Sequence, residues 1–129
     1  MATKFHVYDV NNLAKRRDCD GNSALHLAEV PEVADFLIDS LGMDDVNVQN
    51  MHGDTPLMMA AGLGVDSLPL VKCLCRHRAS IDLENKKGET ALRLARRWFK
   101  KHRTGPRQGD GPVVEFLLQG GFFRATQQL

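Results

Sequence analysis

The chain of 129 residues is 43% hydrophobic, 26% charged and 6% aromatic, and its formal net charge at pH 7 is +1. These values are typical of a single soluble globular domain with a mainly aliphatic core. No segment approaches the roughly 18 consecutive apolar residues of a membrane span, and the start, MATKFHVYDVNN, lacks the apolar core of a secretory signal.

The charges are unevenly distributed along the chain. Ten acidic residues and no Lys or Arg lie between Asp18 and Val71, whereas twelve basic and three acidic residues lie between Lys72 and Arg107. If sequence order corresponds to spatial order, the molecule has an acidic first half and a basic second half. The cysteines, Cys19, Cys73 and Cys75, are odd in number, which indicates a reducing, intracellular compartment: cytoplasm or nucleus, with an organelle left open.

Three stretches share one pattern: DCDGNSALHLA (18–28), NMHGDTPLMMAA (50–61) and NKKGETALRLA (85–95). Each begins with Asp or Asn, has Gly three residues later and Ser or Thr two residues after that. The glycines, Gly21, Gly53 and Gly88, are 32 and 35 residues apart. Each stretch is followed by an apolar helical segment: VADFLIDSLG (33–42), LVKCLCRHRA (70–79) and VVEFLLQGG (113–121).

The sequence therefore resembles the ankyrin-repeat family from residue 18 to about 121, through a period near 33 residues and a central TPL signature. The resemblance implies an all-α ankyrin-repeat solenoid of three helix–turn–helix repeats, with extended β-turn arms along one edge. The repeats are expected at about 18–49, 50–84 and 85–121. Residues 1–17 would be an N-terminal extension or degenerate cap, and residues 122–129 a C-terminal tail.

Local chemistry agrees with these helix positions. The repeat glycines fit a turn that needs a positive φ, and a hydroxyl stands before each inner helix as a candidate N-cap. These hydroxyl residues are Ser23, Thr55 and Thr90. Prolines stand near helix starts, where a missing N–H has no cost, at Pro31, Pro56, Pro69 and Pro112. Arg78 replaces the Gly that usually ends the outer helix, and a left-handed conformation there would cost up to roughly 1 kcal/mol.

Residues 96–111, RRWFKKHRTGPRQGDG, form a basic insertion between the two helices of repeat 3. We expect the inner helix to continue one or two turns past its usual end before a loop returns the chain. The insertion is a solvated helix end, a site for an anion or acidic partner, or a nuclear localisation signal. The basic patch consists of Arg93, Arg96, Lys100, Lys101, Arg103 and Arg107.

Few residues suggest catalysis or metal binding. Cys73, Cys75 and His77 are metal-ligand types, but no second Cys/His cluster completes four ligands, so we interpret both cysteines as buried structural thiols. His26 occupies the place of the family's TPLH histidine, which implies a hydrogen bond to the next turn. The sequence has no evident nucleophile–base pair, phosphate-binding Gly loop or carboxylate pair. We expect no catalytic, cofactor-binding or metal-binding residue and predict that the protein is not an enzyme.

Two apolar features suggest contacts with other proteins. Met58 and Met59 either fill the core or form an adaptable binding surface. Phe122 and Phe123 follow an unusually apolar last helix, and they either fold back on it or form an exposed apolar end that another chain covers. We hypothesise that the protein acts as an adaptor or as a bound subunit of an assembly.

The resemblance implies protein–protein binding through the concave face, at turn tips and inner-helix ends. The corresponding positions are Asp20, Asn22, Met51, His52, Asp54, Lys86, Lys87, Glu89, Arg97 and Trp98. The partner is expected to present an acidic patch to the basic insertion, and self-association is not predicted. Two alternatives stay open. One is nucleic-acid or anionic-surface binding through residues 93–107, which the acidic first half disfavours. The other is a short ankyrin inhibitor that occludes an enzyme or transcription factor.

Overall fold

A computed structural model describes residues 16–42, 45–63, 67–102 and 111–120. In these residues the chain forms short helices joined by turns, and no strand is present. The helices are α1 (Ala24–Leu27), α2 (Pro31–Asp35), α3 (Pro56–Ala61), α4 (Leu68–Arg76), α5 (Ala91–His102) and α6 (Pro112–Leu118). A π-helical turn, Phe36–Ser40, continues α2.

The helices begin where the local sequence rules place them. The hydroxyl oxygens of Thr55 and Thr90 accept hydrogen bonds from the backbone N–H groups three residues later, at 3.2 and 3.3 Å. Ser23 caps α1 in the same way and forms a capping box with His26. A proline occupies the first or second position of α2, α3, α4 and α6. The predicted N-caps and proline starts are therefore confirmed.

The helices stack in two layers. The inner helices α1, α3 and α5 pack in chain order, and the outer helices α2, α4 and α6 do the same on the other side. Within repeats 2 and 3 the inner helix also packs on its outer partner. Aliphatic and small side chains fill the space between the layers, with Leu25, Leu57, Val71, Leu74 and Val114 all nearly inaccessible to solvent. This is the all-α solenoid that the resemblance implies.

Two helix ends depart from the regular pattern. Arg78 has φ +70°, equivalent to Gly42 at +70° and Gly120 at +71° after the other outer helices, so it adopts the left-handed conformation whose cost was considered from the sequence. Helix α5 has twelve residues whereas α3 has six, which agrees with the expected extension of the third inner helix. Among the described helices, none combines the length and the apolar character needed to cross a bilayer.

Candidate functional site

Each repeat begins with a turn that is built around one side chain. We call residues 18–22, 50–54 and 85–89 turns 1, 2 and 3. The side-chain oxygen Oδ1 of the first residue accepts from the backbone N–H groups two and four positions later, at 2.8 to 2.9 Å in all three turns. The short side chains of Asp and Asn place an oxygen where it can accept from both N–H groups, which explains why the repeat pattern begins with one of these two residues.

The turns are hydrogen-bonded to one another. The Met51 N–H donates to the carbonyl of Asp20, and the Lys86 N–H donates to the carbonyl of His52, each at 3.0 Å. The Asn50 amide donates to Asn22 Oδ1 at 2.7 Å. The Asn85 amide makes the matching bond to Asp54 Oδ1 at 2.9 Å. We call these four bonds the turn ladder; it fixes the spacing of the turn tips.

His26 joins the ladder to the first inner helix. Its Nε2 lies 2.7 Å from the Asp54 carbonyl, which can only accept, so Nε2 carries the proton. Its Nδ1 then accepts from the backbone N–H of Ser23 at 3.0 Å. Burial lowers the pKa of the imidazole and keeps it neutral. The implied hydrogen bond from His26 to the next turn is confirmed.

Beside the turns, the inner helices α3 and α5 form an open groove of about 290 Å³. Its apolar lining comes from Met58, Met59, Leu94 and Trp98. Met58 is buried, whereas Met59 is half-buried and receives a weak hydrogen bond from the Asn50 amide at 3.8 Å. We call this feature the Met–Trp groove. Of the two roles considered for the methionines, Met58 belongs to the core and Met59 is accessible from the groove.

Basic groups stand along the rim of the groove. Lys101 and His102, the last two residues of α5, also line it, and the His102 ring stacks on Trp98 with a centroid distance of 4.4 Å. Arg97 forms an ion pair with Glu89, yet its side chain remains 55% exposed. An adjoining polar pocket shares Leu94 and Arg97 with the groove and extends to His52 and Lys87. Turn tips 2 and 3 and the groove therefore form one continuous surface.

The predicted partner-binding residues fall into two groups. The first group is accessible. Its exposed members are Asp20, Met51, His52, Lys86, Lys87 and Arg97. Its half-buried members are Asp54 and Trp98. Asn22 and Glu89 are buried, because their side chains bond to neighbouring turn residues. Those two side chains are occupied inside the protein, so we leave them out of the proposed contact surface.

The basic patch is only partly within the described residues. Arg93, Arg96, Lys100 and Lys101 are exposed on α5, and residues 91–102 include no acidic side chain. Arg103 and Arg107, and the apolar residues Phe122 and Phe123, lie outside the described residues.

On the opposite, outer side, three side chains meet between α2 and α4. Asp35 Oδ1 accepts from His77 Nε2 at 2.8 Å and from the Cys73 thiol at 3.1 Å. The hydrogen bond from His77 is the main cause that holds the pKa of the Asp35 carboxyl below its usual value. Burial and the nearby carboxylate raise the pKa of the Cys73 thiol to about 11. Cys73 and Cys75 are both buried, as expected.

Sequence reasoning missed Asp35 in this cluster. Cys73 and His77 are four positions apart on one helix face and could be paired from the sequence. Asp35 belongs to the previous repeat, so only the stacking of α2 on α4 brings it to them. The repeat alignment held the necessary signal, since it places residue 35 on the outer helix that precedes Cys73.

Two layers of short helices, joined by hydrogen-bonded turns, define a helical-repeat protein in which each unit buries its apolar face against its neighbours. The family model described as ankyrin repeats, in three copies, matches residues 29–126. The chain belongs to the ankyrin-repeat family.

The chain is also similar to a protein named Intracellular phospholipase A2 from Caenorhabditis elegans, with 35% identity over 88 residues. The match covers 65% of this chain but 8% of that protein, so the chain spans a small part of this relative. The activity in that name describes the relative alone.

Proposed function

We propose that the chain is a non-catalytic protein-binding module, acting as an adaptor or bound subunit. Its ligand would be a partner segment that places an apolar side chain in the Met–Trp groove and acidic side chains along the rim. Ankyrin repeats generally mediate protein–protein interaction, which supports the class of function. The observation on which this proposal depends is the groove itself, where Trp98 and Met59 are accessible beside Arg97 and Lys101.

A few side chains usually supply most of the binding energy of a protein interface. Tryptophan, methionine and arginine are enriched in the buried centres of protein interfaces, and truncation of a tryptophan there often costs about 2 kcal/mol or more. Trp98 is already held in place by stacking on His102, whose Nδ1 donates to the Trp98 carbonyl at 2.9 Å. Binding would therefore immobilise few additional rotatable bonds, which favours affinity.

The outer cluster supports a non-catalytic role. A nucleophilic cysteine needs a lowered pKa, because the thiolate is the reactive form. The pKa of Cys73 is instead raised to about 11, since the thiol is buried and donates to the Asp35 carboxylate. Although Cys73 lies in a cluster with an acid and a histidine, its thiol is therefore poorly suited to attack a substrate.

A random peptide library displayed on phage tests the proposal, because the selection does not require an identified partner. We expect selected peptides to combine Asp or Glu with an aliphatic or aromatic anchor. A synthetic copy of a selected peptide would then be titrated by fluorescence anisotropy. Trp98→Ala should weaken binding at least about tenfold, which corresponds to about 1.4 kcal/mol. Lys101→Glu should also weaken peptide binding, because the new carboxylate repels the acidic residues of the peptide.

Phe36→Ala provides the matched control. Phe36 is an aromatic side chain that is 54% exposed, but it belongs to the outer layer. Its removal should leave the peptide affinity unchanged. Selected peptides that bind Trp98→Ala as tightly as the natural sequence would contradict the groove as the binding site.

The row of exposed basic side chains on α5 favours one second function, binding of nucleic acid or an anionic surface. It predicts that affinity for double-stranded DNA falls steeply as salt increases, and that Lys100→Glu with Lys101→Glu abolishes it. If the natural protein binds DNA only weakly and with no such salt dependence, the protein-binding function stands alone. The odd number of cysteines in the sequence, Cys19, Cys73 and Cys75, supports our further proposal of a reducing intracellular compartment.

A further inference from the structure

The cluster of Asp35, Cys73 and His77 brings together three different metal-binding atoms. Cys73 and His77 are one helical turn apart at the end of α4, and Asp35 is the last residue of α2. The thiol sulfur, one imidazole nitrogen and one carboxylate oxygen all lie within 4.8 Å of one another. Two packed helices from different repeats supply them, so the cluster spans the junction between repeats 1 and 2.

We infer that Asp35, Cys73 and His77 form a site for a zinc-type divalent cation on the outer face, which links repeat 1 to repeat 2. Thiolate, imidazole and carboxylate are the ligand types that zinc prefers. The inference is independent of the proposed peptide-binding function, because the cluster lies in the outer layer and the Met–Trp groove lies between the inner helices α3 and α5.

The two distances from Asp35 fit this ion after a small movement. With metal bonds of about 2.3 Å to sulfur and about 2.0–2.2 Å to nitrogen and oxygen, tetrahedral ligand atoms lie roughly 3.3–3.6 Å apart. Asp35 Oδ1 is now 2.8 Å from His77 Nε2 and 3.1 Å from the Cys73 sulfur. Asp35 must therefore withdraw by about 0.5 Å to admit the ion, and its 46% exposed side chain is free to do so.

The protons of the three ligands can be accounted for before and after the metal binds. In the metal-free protein, the Cys73 S–H and the His77 Nε2–H both donate to Asp35. On binding, the thiol proton leaves to the buffer, and the imidazole coordinates through Nε2 with its one proton on Nδ1. Three protein ligands leave a fourth position, which water can reach because His77 is itself 20% exposed. The nearby Arg76 guanidinium also interacts with Asp35 and Cys73, so its charge opposes the cation.

Cobalt(II) is the probe, because it replaces zinc and its thiolate charge-transfer and tetrahedral d–d absorption bands report both ligand type and geometry. The protein would carry Cys19→Ser, which removes the exposed thiol, and would be stripped of metal with a chelator. We expect one cobalt ion per chain, a thiolate band, displacement by zinc, and a higher melting temperature with zinc. Arg76→Gln should raise the affinity.

Two pairs of variants decide the result. Cys73→Ala should abolish the thiolate band, whereas Cys75→Ala, equally buried on the same helix, should retain it. Asp35→Asn should weaken cobalt binding at least tenfold, and Asp39→Asn, an exposed acid in the adjoining π-helical turn, should not. Asp35→Asn keeps the side-chain shape, so it decides the test if Cys73→Ala does not fold. The inference is overturned if folded protein shows no thiolate band, or if the band and affinity are unchanged in Cys73→Ala or Asp35→Asn.

Discussion

Gly53 lies where turn 2 touches the backbone of turn 3, so a side chain there should disturb the stack of repeats. Its φ is +81°, and a Cβ would lie 2.7 Å from the Lys86 nitrogen and 3.0 Å from the Asn85 Cα. Gly88 occupies the same place in turn 3 with φ +75°, but a Cβ there meets nothing within 4 Å. The two positions share a backbone conformation and differ in what surrounds them.

The expected magnitudes follow from this difference. Alanine in a left-handed conformation costs roughly 1–2 kcal/mol, and the reduced freedom of the unfolded chain offsets about 0.4–1 kcal/mol of that. Gly88→Ala should therefore lower the free energy of unfolding by about 1 kcal/mol. Gly53→Ala should cost about 1–3 kcal/mol more, because the contacts are with backbone atoms that cannot rotate away.

Urea denaturation followed by circular dichroism measures both free energies. Amide hydrogen exchange adds a local measure: Gly53→Ala should speed exchange of the Lys86 N–H, which donates to His52 across the turn ladder. Equal costs for Gly53→Ala and Gly88→Ala, or an unchanged exchange rate at Lys86, would refute the argument that the neighbouring turn restricts Gly53.

Three further predictions concern single side chains, each measured by urea denaturation. Arg78→Gly should stabilise the protein by up to about 1 kcal/mol, because the left-handed conformation favours glycine; a loss of stability would contradict this. Asn50→Ala should cost about 2 kcal/mol, because two backbone N–H groups lose their acceptor, whereas Asn50→Asp keeps the acceptor and should cost less. Burial lowers the pKa of His26, so below about pH 6.5 the unfolded chain binds a proton that the folded protein does not. The free energy of unfolding should therefore decrease as the pH is lowered, by up to about 1.4 kcal/mol per pH unit. His26→Gln should reduce this slope, and an unchanged slope would contradict the prediction.

Much of the fold could be predicted because each rule acts within a few residues. Thr55 caps a helix through a bond to the third residue after it, and Pro56 needs only its own missing N–H. The place of Arg78 in the repeat marked it as a candidate for a left-handed conformation, which it adopts. The three copies of the pattern then placed these local rules in one solenoid.

The side-chain environments were harder to predict, because they depend on contacts with other turns and helices. Asn22 was assigned to an exposed tip by its position, but Asn50 of the next turn donates to it and buries it. Glu89, by contrast, is held within its own repeat, by Asn85 of turn 3 and by Arg97 of α5. Contacts between residues about thirty positions apart leave no signal in a single sequence until the repeats are stacked.

The turn ladder has a consequence for how such a chain can change in length. Its bonds repeat unchanged between turns 1 and 2 and between turns 2 and 3, although the repeat glycines are separated by 32 residues in one case and 35 in the other. The turn ladder therefore keeps the spacing of the turns constant, and the three extra residues are accommodated elsewhere in the repeat. A tag or binding loop engineered into this protein should accordingly be inserted between the two helices of a repeat, so that the added residues do not interrupt the turn ladder.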